Sequence, residues 1–195
     1  MIEFFQITGS SSFAVRAALD DIGPAPDVDW AHDVLPRRRG EDTAFSGVNP
    51  RMRVPAIRDG ETNVYETGAI LLHLVERFPD AGLGPGPGEP GRGDLLRWVM
   101  YLANTLHTIH YPVQYPGMLT TEDVGHEGIT AKGLATYAAE GAYLESQLTD
   151  RDWCLGDVFS VADIYLYMLK GWESYGSPPL GGAAVNAHFE RVGAR

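Results

Sequence analysis

The chain has 195 residues, 44% of them hydrophobic and 21% charged, which is enough to bury a core in one domain or two small ones. Fifteen basic against twenty-six acidic residues give a net charge of -11 without a basic stripe, which argues against a nucleic-acid partner. Apolar runs are far shorter than the roughly 20 residues that cross a bilayer. No cationic leader opens the chain, so we expect a soluble, cytoplasmic protein without a membrane partner.

The first part of the chain has the pattern of a small α/β domain. In some short segments apolar residues alternate with polar ones, which indicates strands. In other segments they recur at helical spacing. An Asp-Gly pair at 59–60 is typical of a hairpin turn. The predicted elements are, in chain order, a strand over Ile2–Gln6, a helix over Ser12–Ile22, strands over 27–34, 53–57 and 63–65, and a helix through 70–78. Together they predict a four-stranded mixed sheet with helices packed on it.

Residues 84–91 are almost entirely Pro and Gly, which extend neither a helix nor a sheet. We therefore predict a linker over 81–91 between a domain at 1–80 and a second domain at 92–195. The second domain follows a spacing of about 3.6 residues throughout and is predicted to be all-helical.

The helix that starts near Arg92 has two distinct apolar stripes. A helical wheel at about 100° per residue predicts one core face; its members are Leu95, Trp98, Val99, Leu102, Leu106 and Ile109. The second stripe holds Met100, Asn104, His107 and Tyr111, and a purely solvated face rarely carries Met and Tyr, so it suggests the lining of a cleft.

Two later helices are predicted from the same spacing. One covers about 129–148. The other is opened by Ser160, with Asp163 three residues later as in a capping box, and its continuation over 164–169 is apolar all round, as in a buried helix.

Three segments together resemble a cytosolic glutathione transferase, with the bacterial beta class as the nearest likeness. They are the motif at 49–57 with its Val54-Pro55 pair, the motif at 65–70, and the capped helix start at 159–163. The resemblance implies an α/β thioredoxin-like N-terminal domain that binds glutathione, an all-α C-terminal domain that helps bind an electrophile, and a homodimer.

The resemblance assigns four residues to glutathione. It implies that the bond between Val54 and Pro55 is cis and that the Val54 backbone pairs with the cysteinyl part; the alternative is an ordinary edge-strand proline. It also places Glu66 on the ligand's ammonium and Thr67 beside the γ-glutamyl carboxylate, at a helix N-terminus that favours anions. Thr67 as a simple cap of its own helix remains the alternative.

Cations for the glycine carboxylate of glutathione lie in two places. Arg53 stands where the family often has a polar or basic residue beside glutathione. The run Arg37-Arg38-Arg39 is a second candidate, or simply a solvated face.

The loop before the first helix supplies the group that would stabilise the glutathione thiolate. Matching Gly9 to the glycine of the beta-class Gly-Ala-Cys-Ser loop puts Ser11 at the cysteine of that class, which is also the serine of delta-like and theta-like classes. Ser10 and Ser12 are neighbouring candidates, and a helix cap or a flexible loop is the structural alternative. A serine donates a hydrogen bond to a thiolate but cannot form a mixed disulfide.

The second domain adds a histidine and an apolar lining. The segment from Arg97 to His107 resembles the beta-class helix that brings a histidine towards the thiol, and an alternative for His107 is a structural role. The residues suggested for a second-substrate pocket are Met100, Asn104, His107, Tyr111, Tyr115 and Met118, which are equally compatible with a core.

No metal site is expected. The single cysteine, Cys154, excludes a cysteine-based cluster and is expected to be an inert buried thiol, and the histidines show no ligand spacing with acids or with Cys154.

These observations predict a glutathione transferase in which a loop serine stabilises the thiolate for attack on a small hydrophobic electrophile, with glutathione as co-substrate and a role in detoxification. The alternatives are a glutathione-dependent isomerase or dehalogenase, a non-catalytic module that keeps this fold as a scaffold, and an enzyme that uses another low-molecular-weight thiol.

Overall fold

The computed structural model describes residues 2–23, 31–34 and 43–195. The chain divides into two compact units, Met1–Glu89 and Pro90–Arg195. The first unit is α/β and the second is helical, so the predicted fold class is confirmed. No described helix combines the length and the hydropathy that a membrane span requires.

The first unit is built on one four-stranded sheet. Its elements are β1 (Ile2–Gln6), α1 (Ser12–Ile22), β2 (Ala31–Val34), the short α2 (Thr43–Ser46), β3 (Ala56–Asp59), β4 (Thr62–Tyr65), α3 (Thr67–Arg77) and a 3-10 turn at Pro79–Ala81. The strand order is β2-β1-β3-β4, with β1 and β2 parallel and the other pairs antiparallel. The predicted mixed sheet is therefore confirmed.

Side chains of β1 reach both faces of the sheet because successive residues of a strand point in opposite directions. Phe4 is fully buried, and Phe5 packs against Phe45 with 5.3 Å between ring centroids. Val48 and Ala56 complete this small core under the segment that leads into β3.

Two details of the hairpin differ from the sequence prediction. The strand predicted from 53 begins only at Ala56, because Pro55 has no N–H to donate to a neighbouring strand. The pairing of Asp59 with Thr62 makes Gly60 and Glu61 the turn residues, one position later than predicted.

The second unit contains five helices among its described residues. They are α4 (Arg92–Tyr101), α5 (His110–Gln114), α6 (His126–Leu148), α7 (Val161–Gly171) and α8 (Ala183–Gly193), with a π turn at Leu102–Leu106 and 3-10 turns at Pro116–Met118, Asp123–Gly125 and Trp172–Tyr175. Every member of the predicted core face is buried.

Helix α7 lies at the centre of this unit, as its apolar sequence predicts, and nine of its eleven residues are buried. Its predicted capping box is present: the Ser160 hydroxyl accepts the Ala162 N–H at 3.3 Å, and the Asp163 carboxylate accepts the Ser160 N–H at 2.8 Å. These bonds satisfy N–H groups that a helix start otherwise leaves unpaired.

Candidate functional site

The three serines of the loop between β1 and α1 have different surroundings. Ser10 Oγ lies 2.6 Å from the Ile7 carbonyl oxygen and 2.9 Å from Ser12 Oγ. Ser12 is 1% exposed and its hydroxyl also accepts the Ile7 N–H at 3.3 Å. Ser11, the residue before α1, is half-buried, and its hydroxyl bonds to no residue in the described part of the chain. Among the described residues, Ser11 is therefore the serine of this loop whose hydroxyl has no protein partner.

The segment before β3 is fixed by one buried amide. Asn49 is 2% exposed; its Nδ2 donates to the Arg53 carbonyl at 2.6 Å, and its Oδ1 accepts the Arg51 N–H at 3.0 Å. The bond between Val54 and Pro55 is cis, as the resemblance implies. Nothing in the sequence predicts this role for Asn49 beyond the tendency of Asn-Pro to form turns.

Glu66 and Thr67 lie at the start of α3. Glu66 precedes the helix with a φ of 74°, a sparsely populated conformation that costs a residue with a side chain roughly 1–3 kcal/mol. Thr67 is the first helical residue and is 6% exposed. The N-terminal N–H groups of α3 point out of the helix, where they favour a negatively charged group.

A cation contacts Glu66, and it belongs to Arg51, a residue to which the sequence analysis assigns no role. Arg51 Nη1 lies 2.7 Å from Glu66 Oε1 in an ion pair whose side chains are 62% and 64% exposed. Arg53 is exposed, and no ion pair joins it to another described residue. Arg37, Arg38 and Arg39 lie outside the described residues.

His107 in the second unit is enclosed by aromatic rings. Its Nδ1 lies 2.8 Å from the Tyr165 hydroxyl, and its ring meets the Trp172 ring edge-on with 5.1 Å between centroids. Burial lowers the pKa of His107 to about 4, so the imidazole is neutral at pH 7. It therefore interacts through neutral hydrogen bonds and not as a cation.

The π turn changes the stripe that was predicted to line a cleft. The His107 N–H donates to the Leu102 carbonyl at 2.8 Å, five residues back, so one extra residue enters the turn. Met100, before the turn, and Asn104, within it, are exposed, whereas His107, after it, lies against Tyr165.

The other predicted lining residues lie on or near the surface of the second unit. The Tyr111 and Tyr115 rings are 6.5 Å apart, and Tyr115 and Met118 are 59% and 57% exposed. A groove of about 300 Å³ in this unit runs between α5 and α6 and has none of the predicted residues in its lining, which consists of Ile109, Pro112, Gly128, Ile129, Lys132, Gly133 and Thr136.

The fold assembles one cluster that sequence spacing does not reveal. Ligand-type atoms of Cys154, Asp163 and His188 lie within 4.8 Å of one another, and all three residues are buried. The Asp163 oxygens already accept the Cys154 N–H at 2.7 Å, His188 Nε2 at 2.8 Å, and both the N–H and the hydroxyl of Ser160. Burial raises the pKa of the Cys154 thiol, so it stays protonated, as expected of an inert thiol. The cluster thus ties α7 to α8 and has no oxygen left for a cation.

No family model matches the chain. The known proteins to which it is similar include several glutathione transferases. A glutathione S-transferase from a sphingomonad, solved in complex with glutathione, is 30% identical over 99% of this chain and 93% of its own, with a TM-score of 0.79. A glutathione transferase homologue from Sulfitobacter with bound glutathione is 26% identical over 100% and 93%, with a TM-score of 0.84. A glutathione S-transferase of Xanthomonas campestris is 27% identical over 150 residues, which are 74% of this chain and 72% of that protein.

Proposed function

The chain belongs to the glutathione S-transferase family and is a glutathione S-transferase-like enzyme. On that premise we propose that its first unit binds glutathione and that the glutathione thiolate attacks an electrophile. The observation that carries the proposal is the position of the Ser11 hydroxyl beside the N-terminus of α1, where it bonds to none of the described residues.

Ser11 is proposed to stabilise the thiolate. An unperturbed thiol has a pKa of about 8.5 and is mostly protonated at pH 7. A hydroxyl donor and the positive end of the α1 dipole both favour the anion over the thiol. The hydroxyls of Ser10 and Ser12 are held inside the loop, so we assign them to loop structure and give Ser11 the contact with sulfur.

The rest of glutathione is proposed to bind to two segments, the one before β3 and the start of α3. The Val54 backbone, presented by the cis Pro55 bond, would pair with the cysteinyl part. Thr67 and the first N–H groups of α3 would take the γ-glutamyl carboxylate, and Glu66 would take the ammonium. Arg53, exposed on the same segment, is the proposed partner of the glycine carboxylate.

His107 is proposed to act on the second substrate by a neutral hydrogen bond. With a pKa of about 4, it would take a proton from an unperturbed thiol only at a cost of about 6 kcal/mol, so it is a poor base for thiol activation. A neutral imidazole still stabilises negative charge that develops on a leaving group.

The second substrate is proposed to be a small hydrophobic electrophile, bound with the help of Met100, Asn104, Tyr111, Tyr115 and Met118. A homodimer that acts in the cytoplasm in detoxification completes the proposal. Rate would come from thiolate stabilisation together with the proximity of two bound reactants.

Calorimetric titration with reduced glutathione, combined with a pH titration of the bound thiolate by its ultraviolet absorbance, tests the proposal. In the wild-type protein the pKa of the bound thiol should lie below about 7.5, and Ser11→Ala should return it towards about 8.5 and lower kcat by about 100-fold. Thr8→Ala removes an exposed hydroxyl of the same loop and is the matched control, without effect on either quantity.

The other outcomes separate the alternatives. An unchanged thiol pKa in Ser11→Ala would refute the role of this serine and leave glutathione binding intact. Absence of binding at millimolar glutathione would refute glutathione as co-substrate. A parallel titration with other low-molecular-weight thiols would then identify a different thiol enzyme, and binding of none would favour the scaffold.

A further inference from the structure

The ion pair between Arg51 and Glu66 is a feature of the first unit that the proposed function leaves unexplained. Resting on that function, we propose that Arg51 is a specificity-determining residue: it balances the charge of Glu66 so that the site selects a ligand end carrying an ammonium and a carboxylate together. A simple amine, which Glu66 alone would accept, is disfavoured.

Glu66 is held at one oxygen and open at the other. Oε1 lies 2.7 Å from Arg51 Nη1, while Oε2 accepts no hydrogen bond from the residues that the structure describes. A carboxylate has about four acceptor positions, so a ligand ammonium can bind Oε2 without breaking the pair. The positive φ of Glu66 sets the direction in which its side chain leaves the backbone at the start of α3.

Arg51 is anchored through its backbone. The buried Asn49 side chain accepts the Arg51 N–H at 3.0 Å, and the Met52 N–H donates to the Asn49 carbonyl at 2.9 Å. The Arg51 guanidinium thus reaches Glu66 from a hydrogen-bonded turn, and its other N–H groups bond to none of the described residues.

Arg51 and Glu66 place two opposite charges beside the start of α3. Arg51 contributes a positive charge and Glu66 a negative one, and the N–H groups of Thr67 and Gly68 at the helix start add a partial positive charge. A ligand end with only an ammonium is attracted by Glu66 but repelled by Arg51 and the helix terminus. A zwitterionic end finds a partner for each of its charges.

The test compares two ligands on four proteins by calorimetry. The ligands are glutathione and its analogue in which the γ-glutamyl group is replaced by 4-aminobutyryl, which keeps the ammonium and lacks the α-carboxylate. The measured quantity is the ratio of the two Kd values, analogue over glutathione. Because the ion pair is exposed, Arg51→Gln should lower this ratio by about threefold at low salt and by less at high salt.

Two further variants control the experiment. Arg51→Lys keeps the charge and should retain most of the wild-type ratio. Arg16→Gln removes the same charge from another exposed ion pair of the first unit, with Asp20 on α1, and should leave the ratio unchanged. A ratio in Arg51→Gln equal to that of the wild type, or a change of equal size in Arg16→Gln, would overturn the role of Arg51 while glutathione binding stands. Failure of the wild type to bind glutathione would overturn the proposed function and this inference with it.

Discussion

Replacing the buried Asp163 should destabilise the second unit strongly. Its carboxylate is 0% exposed and accepts four hydrogen bonds, from the backbone of Cys154, the backbone and hydroxyl of Ser160, and His188. Asp163→Asn replaces one oxygen by an NH₂ group that faces N–H donors, so at least two buried groups lose their acceptor. Breaking a buried pair of this kind costs about 3–5 kcal/mol, out of a total stability of roughly 5–15 kcal/mol.

Urea and thermal unfolding followed by tryptophan fluorescence would measure this loss. The Trp153 ring lies 6.3 Å from the His188 ring, so its emission reports on the cluster. For a chain of this length the loss corresponds to a fall in Tm of about 10 °C. Asp157→Asn, an exposed acid of the same loop, is the matched control and should change the stability by less than about 0.5 kcal/mol. A loss in Asp163→Asn as small as that of the control would refute the argument that the carboxylate organises this cluster.

Three further predictions concern pH and backbone conformation. Burial lowers the pKa of His107 and His110 from the ordinary 6.5 to about 4, so between these pH values the unfolded chain binds protons that the folded protein does not. Urea unfolding should therefore show a free energy of unfolding that falls as the pH drops from about 6.5 to about 4, and that falls less steeply in His110→Gln. Hydrogen bonds from N–H groups at the start of α8 lower the pKa of Glu145, so Glu145→Gln should cost about 1 kcal/mol near neutral pH, and the difference from wild type should vanish as acid protonates the native carboxylate. Asp150 is exposed with a φ of 59°, so Asp150→Gly should raise the free energy of unfolding by up to about 1 kcal/mol in the same assay, and a lower value would contradict this assignment of strain.

Elements whose signals are local could be predicted from the sequence. Helix α1 and strand β1 lie at their predicted residues because their apolar spacing fixes which face is buried. The capping box of α7 is equally local, since Ser160 and Asp163 bond within one turn. The motif with Val54-Pro55 carries the family resemblance, and solved relatives with bound glutathione support it.

Contacts between residues distant in sequence were decided only by the tertiary structure. The π turn brings His107 to Tyr165, 58 residues away, although a regular helical wheel places it beside Met100 and Asn104. The pairing of Arg51 with Glu66 also depends on the fold, because it joins the segment before β3 to the start of α3. Periodicity in a sequence reports which side of an element is apolar, whereas the partner of a polar side chain is set by which elements the core brings together.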